Sequence, residues 1–224
     1  MKIKNIIFDL DETLYNDQDV KAEADINVLE FFSKNVDEID VVKHYRLFKD
    51  SDKDKVNDWF ENFLGNFISS KVNEGLISAA ENIYWETLSQ IKPYPDALIF
   101  LEQVKENYKL GILSDGSRVK QLRKMESLNI LRFFAPESLV FSEDVGEKKP
   151  SQKMFAAIVE KMQINPRETL YIGDRVDRDI AGGNIAGFKT VLLRRNRSYY
   201  AKTDGQDGKP HKEINTFFDL VGEI

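Results

Sequence analysis

Two aspartates, Asp9 and Asp11, stand two residues apart just after the apolar run Ile6 to Phe8, with Glu12 and Thr13 behind them. Further along, Ser114 follows Leu110 to Leu113, and Gly173 and Asp174 follow Thr169 to Ile172, with Asp177 and Asp179 close behind. Carboxylates gathered in one place repel one another and raise each other's pKa unless a cation sits among them. An oxygen-rich set in a chain without cysteine suits a hard cation, and Mg²⁺ takes one or two carboxylates while keeping positions for water and phosphate oxygens. Asp9 and Asp174 are the natural pair. Lys149 offers a positive side chain; Pro150 can begin a helix, which leaves Lys149 at its N-terminal edge beside free N–H groups that attract an anion. The chemistry in reach is the handling of an anion beside a divalent cation.

These residues can meet only if the elements between them bring them together. Ile6 to Phe8, Leu110 to Leu113, Leu139 to Phe141, Thr169 to Ile172 and Thr190 to Leu193 are continuous apolar runs, the pattern of strands buried on both faces. Between them lie helical stripes: Leu98, Leu101 and Val104; Leu122, Met125 and Leu128; Phe155, Ile158, Val159 and Met162. The expected fold is α/β, a doubly wound parallel sheet whose ligands bind beyond the carboxyl ends of the strands.

A second pattern interrupts the first. Tyr15 to Lys92 carries 16 acidic and 9 basic residues, whereas the rest of the chain carries 22 and 23. Here Val28, Leu29 and Phe32, then Val56, Trp59, Phe60, Phe63, Leu64 and Phe67, then Leu76, Ile77, Ala80, Ile83, Tyr84 and Leu88 recur at helical spacing. The aromatic stripe reads as helix-packing core, and Pro93 and Pro95 close the segment. The expected organisation is a core domain of residues 1–14 and 93–224 and a helical bundle of residues 15–92. Lys202 to Pro210 reads as a flexible loop.

Composition excludes other classes. Without cysteine there is no disulfide or thiol chemistry, and His44 and His211 lack metal-ligand spacing. No stretch approaches the roughly 20 apolar residues that span a bilayer, and the N-terminus lacks the apolar core of a signal peptide. The expectation is a cytoplasmic protein with no membrane partner. A net charge of −6 offers no general attraction for nucleic acid, and the cluster Arg194 to Arg197 reads as a solvated loop. Oligomeric state is left open.

Taken together, Asp9, Asp11 and Thr13 (D-x-D-x-T), Ser114 ending a strand, Lys149 before Pro150, and Gly173, Asp174 and Asp179 (G-D-x-x-x-x-D) resemble, in order, the four motifs of the haloacid dehalogenase-like (HAD) hydrolase superfamily. The resemblance runs over nearly the whole chain, and the helical insert resembles the cap of a subfamily I-like phosphatase on a Rossmann-like core. It implies that Asp9 attacks phosphorus and that Asp11 protonates the leaving oxygen and then activates water. It further implies that Thr13, Ser114, Asp115 and Lys149 hold the phosphate, and that Mg²⁺ is bound by Asp9, the Asp11 carbonyl and Asp174. Asp179 supports Lys149 or a metal-bound water. Asp115 departs from the Asn often found after the second motif.

The superfamily also contains dehalogenases, phosphonate-cleaving enzymes and phosphosugar mutases, so membership does not fix the reaction. Dehalogenases lack the second Asp, which argues for phosphate chemistry here. Lys21, Lys34 and Lys43 read as surface lysines rather than imine-forming groups. Glu12, Lys148, Asp177 and Arg178 read as loop residues. The expected activity is Mg²⁺-dependent hydrolysis of small phosphomonoesters; a phosphosugar mutase and a non-catalytic phosphometabolite-binding protein are the alternatives. Tyr15 to Asp17 and Ile91 to Pro95 are the expected hinges of cap closure.

Overall fold

The computed structural model describes residues 2–50, 56–67, 73–195 and 208–222. In chain order the elements are β1 (Asn5–Phe8), α1 (Asp17–Asn35), α2 (Val41–Asp50), α3 (Val56–Leu64), α4 (Glu74–Leu88), α5 (Pro95–Val104), β2 (Lys109–Ser114) and α6 (Arg118–Ser127). They continue as β3 (Leu139–Phe141), α7 (Ser142–Val145), α8 (Gln152–Met162), β4 (Thr169–Gly173), α9 (Ala181–Ile185), β5 (Lys189–Leu193) and β6 (Lys212–Ile214). Among the described residues the strands form one parallel six-stranded sheet in the order β3-β2-β1-β4-β5-β6.

All five expected runs are strands. The sixth, β6, has only Ile214 buried, so no apolar run announces it; its place is set by pairing Leu193 with Ile214. In the central strand Ile7 and Phe8 face opposite sides of the sheet, as the two-residue period of a strand requires. Ile7 belongs to a cluster with Leu113, Val140, Phe155, Ile158 and Tyr171. Phe8 meets Phe100 of α5 and Phe134 edge-on at 6.2 and 6.3 Å, with Phe217 at 6.0 Å. Layers on both faces of a parallel sheet make this the doubly wound, Rossmann-like arrangement expected.

One expected boundary is corrected. The helix after Lys149 begins at Gln152 rather than Pro150, because the Ser151 hydroxyl takes the N-cap position and accepts the Lys153 N–H. Lys149 therefore sits in the connection that precedes the helix.

By contacts, the chain divides into Met1–Asn16 with Lys92–Ile224, and Asp17–Ile91. The second unit holds α1 to α4. Its core gathers Val28, Leu29, Phe32, Phe48, Trp59, Phe60, Phe63, Tyr84 and Leu88. The Trp59 indole N–H donates to the Phe48 carbonyl at 3.3 Å, the polar partner that a buried tryptophan needs. Tyr45 and Trp85 are partly buried against the same core. The helix α2 was not anticipated from the sequence: Phe48 is its buried residue, with Val41 and Tyr45 partly buried against the same core.

Candidate active site

From β1 the sheet grows through β2 and β3 on one side and through β4, β5 and β6 on the other. The carboxyl ends of β1 and β4 therefore flank the point where the winding reverses, the usual ligand crevice of such sheets. Asp9 follows β1 and donates its backbone N–H to the Ile172 carbonyl at 2.9 Å, which pins it beside β4. Asp174 follows β4, and Ser114 ends β2. Carboxylate oxygens of Asp9, Asp174 and Asp179 lie within 4.8 Å of one another. Gly173 permits this: a Cβ there would stand 2.5 Å from the Asp179 carboxylate carbon.

Lys149 is the cation of the cluster. Its Nζ donates to Asp9 Oδ1 at 2.6 Å and to Asp179 Oδ1 at 2.7 Å, with the side chain 3% exposed. The Tyr171 hydroxyl donates to the same Asp179 oxygen at 2.9 Å, and the Arg175 N–H donates to Asp179 Oδ2 at 3.0 Å. Asp179 thus accepts from Lys149, Tyr171 and the Arg175 N–H together. Asp115 has a related position: its Oδ1 accepts the Lys149 backbone N–H at 2.9 Å. This ties the Asp115 carboxylate to the Lys149 connection and leaves only its backbone N–H to face a phosphate. Its other oxygen is buried and has no hydrogen-bond partner among the described residues, with Arg178 at 3.6 Å.

Charge is crowded here. Burial, offset in part by Lys149, pushes the Asp9 carboxyl up to about 7, with Asp179 and Asp11 adding repulsion. Burial and the neighbouring Asp179 and Asp9 push Asp174 up to about 9. Burial works to neutralise Lys149, but Asp179 and Asp9 outweigh it and hold the ammonium charged. Three carboxylates around one ammonium remain short of positive charge, and their all-oxygen donor set fits a hard divalent cation.

Asp11 is held apart from this cluster by different donors. Its Oδ1 accepts the Tyr15 hydroxyl at 2.7 Å and Lys124 Nζ at 2.7 Å, and its Oδ2 accepts Gln121 Nε2 at 3.2 Å. The same Gln121 amide donates to Ser114 Oγ at 2.7 Å and to the Asp115 carbonyl at 3.0 Å. Ser114 thus keeps its own hydroxyl hydrogen for an acceptor. Thr13 Oγ1 is buried and has no hydrogen-bond partner among the described residues. Glu12 occupies the left-handed region at φ 61°, the turn that ends the motif.

Sequence reasoning passed over Gln121, Lys124, Tyr15 and Tyr171. A signal existed for two of them: Gln121 and Lys124 lie on the same helical face as Met125 and Leu128, where a lysine is out of place unless paired. Tyr171 was absorbed into an apolar run, although a tyrosine in a strand buried on both faces needs a partner for its hydroxyl.

The remaining candidates fall elsewhere. Asp177 forms a two-bond pair with Arg175 at 2.9 and 2.8 Å. His44 Nδ1 sits at the start of α2 against Asp40, and His211 packs its Nδ1 on Thr190. Arg194 pairs with Glu213 at 2.6 Å. Arg195 departs from the solvated loop expected, its side chain only 12% exposed against Asp96. Arg197 and residues 202–207 of the expected loop lie outside the described residues. No helix among the described residues is long and apolar enough to cross a membrane.

Fold and site together define a doubly wound α/β protein whose aspartates and two buried lysines, Lys124 and Lys149, gather at the switch point. The sequence matches the description Haloacid dehalogenase-like hydrolase over residues 6–193, and the chain belongs to that family. It is 33% identical to a glyceraldehyde 3-phosphate phosphatase of Methanopyrus kandleri, over 99% of this chain and 98% of that one. It is 30% identical to the protein of the same name from Methanocaldococcus jannaschii, again over 99% and 98%. Among solved structures, a HAD phosphatase from Thermococcus onnurineus is similar in fold, with a TM-score of 0.70, 24% identity and coverage of 97% and 96%.

Proposed function

We propose that this chain is a Mg²⁺-dependent phosphatase that hydrolyses small phosphomonoesters through an aspartyl-phosphate on Asp9. The observation that carries the reading is the buried Asp9 carboxylate, held at a strand end by Lys149 at 2.6 Å, with Asp11 two residues further on. Asp9, Asp174 and the Asp11 carbonyl are the groups that would hold Mg²⁺, which when bound supplies positive charge to the cluster and to the phosphoryl oxygens.

The chain's own groups perform the rest. Asp9 uses one oxygen to form a bond to phosphorus while the bond from phosphorus to the ester oxygen breaks. Asp11 gives its proton to that departing oxygen, so the alcohol leaves neutral. In the second half Asp11 takes a proton from water, whose oxygen attacks phosphorus and releases phosphate and free Asp9. Lys149 counters charge on Asp9 and on the transferring group, and the Ser114 hydroxyl donates to a phosphate oxygen. Thr13, buried with its hydroxyl unpaired among the described residues, stands in the same turn and is assigned to the phosphate side. Asp179 and Tyr171 hold Lys149 in place.

The two archaeal relatives are named for glyceraldehyde 3-phosphate, so short phosphorylated aldehydes and sugars are the first substrate class to try. The test is phosphate release from a panel of sugar phosphates, nucleoside monophosphates and three-carbon phosphoesters with Mg²⁺, for the wild type and Asp9→Asn. The wild type is expected to release phosphate from part of the panel, and the variant to lose at least about 10³-fold of that rate. Unchanged release by Asp9→Asn would remove the nucleophile assignment. Isomerisation of a hexose phosphate without phosphate release from any ester would replace the reading with a mutase.

A further inference from the structure

The phosphatase reading gives Asp11 the proton transfers but leaves open what aims its carboxylate. Asp11 lies in the turn after β1, bridged to Tyr15 and followed by Glu12 at φ 61°. Three side chains donate to its carboxylate. Tyr15, four residues on, and Lys124 share Oδ1 at 2.7 Å each, and Gln121 reaches Oδ2 at 3.2 Å.

Gln121 and Lys124 are three apart on α6, so they project from one face of it. The helix starts where the Ser117 hydroxyl caps it, directly beyond Gly116, whose φ of 135° turns the chain out of β2. A Cβ on Gly116 would come within 3.2 Å of the Gln121 side chain, so that residue is pressed against the strand end. Lys124 is as buried as a core residue, its side chain 6% exposed, and its Nζ stands 5.7 Å from the centre of the Tyr15 ring. Burying an ammonium is costly, and such a pair is weak evidence for stability, whereas fixing one geometry is the use it serves well. The partner it fixes is the residue whose placement the reaction demands.

We infer that Lys124, assisted by Gln121 and Tyr15, is a positioning residue that sets the Asp11 carboxyl group where its acid form, regenerated by the proton taken from water, can pass that proton to the departing ester oxygen. This rests on the phosphatase reading. Gln121 links the two halves of the site, since the same amide touches Asp11, Ser114 and the Asp115 carbonyl. Without Lys124 the Asp11 carboxylate gains rotamer freedom, and phosphoryl transfer to a poor leaving group loses its proton donor. An ester whose alcohol leaves readily as an anion has little need of that proton.

The test compares kcat/KM, which reports the steps through alcohol release, for two esters with Mg²⁺: glycerol phosphate, with an alkyl leaving group, and 4-nitrophenyl phosphate, with an acidic phenol. Lys124→Met is expected to lose about 10²-fold on the alkyl ester. On the aryl ester its loss stays within about 3-fold, so the ratio between substrates moves. Arg123→Met, an exposed neighbour on the same helix, leaves the ratio unchanged. Tyr15→Phe removes a second donor to Oδ1 without emptying the space, and it moves the ratio in the same direction even if Lys124→Met does not fold. Equal losses on both esters, in Lys124→Met or in Tyr15→Phe, would make these residues merely structural and overturn the inference while Asp9→Asn stays inactive. A wild type inert toward both esters would overturn the phosphatase reading and this inference with it.

Discussion

At the scale of single residues the site is a contest between burial and charge. Lys149 can be buried because two carboxylates accept from it, and Asp179 can be buried because Lys149, Tyr171 and the Arg175 N–H all donate to it. Asp179→Asn keeps the shape but leaves Lys149 with Asp9 as its one remaining anionic partner in that cluster. We expect a stability loss of about 3 kcal/mol by urea unfolding, at the low end for breaking a buried pair because Asp9 still faces the ammonium. Phosphate release should fall about 10–100-fold, as for other groups that orient a reacting residue. An Asn variant as stable and active as the wild type would show that Asp179 does not hold Lys149. Asp9, Asp11, Ser114 and Asp174 stand out in the sequence as candidates because each follows a recognisable apolar run, and Lys149 because it precedes Pro150. Lys124 and Gln121 do not, since a single polar residue on a helical stripe reads first as an interruption, and only three-dimensional proximity to Asp11 gives it meaning.

At the scale of elements, α6 must be held if Gln121 and Lys124 are to be aimed. Its first turn is tied to α7 through the Arg118 guanidinium, which donates two bonds to Asp144 at 2.8 and 2.6 Å. Burial of Asp144 works to raise its pKa, but Arg118 and the Phe141 N–H outweigh it and hold the carboxyl below its ordinary 3.8. A depressed folded-state value means stability that is present above the unfolded-state pKa and lost as pH falls through the folded value. Asp144→Asn should therefore be less stable than the wild type by about 0.5–1 kcal/mol at neutral pH, a figure reduced for the partial exposure of both groups. That difference should shrink as the pH falls below the ordinary carboxylate value. Urea midpoints of the two proteins at neutral and acid pH check it; a difference that does not change with pH would mean the pair contributes no linkage. The strands were legible because apolar runs buried on both faces have few other readings. The helix α2 and the strand β6 were not: β6 buries one residue, and α2 spaces Val41, Tyr45 and Phe48 helically over too few turns to stand out among its charged neighbours.

At the scale of the whole molecule, the acidic composition of residues 17–91 and the mixed charge elsewhere coincide with the division into two contact units. The crowding of Asp9, Asp174 and Asp179 would make the folded chain a better cation binder than the unfolded one, where Asp9 lies far along the chain from the other two. Mg²⁺ should therefore raise the melting temperature, by an amount equivalent to about 2.7 kcal/mol at a hundredfold excess over Kd. Asp174→Asn should abolish most of that shift and, by relieving the crowding, melt no lower than the wild type without Mg²⁺. A shift that survives Asp174→Asn would move the cation elsewhere. The central claim is that Asp9 carries the phosphoryl group. It is tested most directly by acid-quenching the enzyme during turnover of a phosphomonoester with Mg²⁺ and mapping phosphorylated peptides by mass spectrometry. The account predicts phosphate on the peptide that contains Asp9 and none in Asp9→Asn; an active enzyme with no phosphate on that peptide, or with phosphate on another residue, would contradict it.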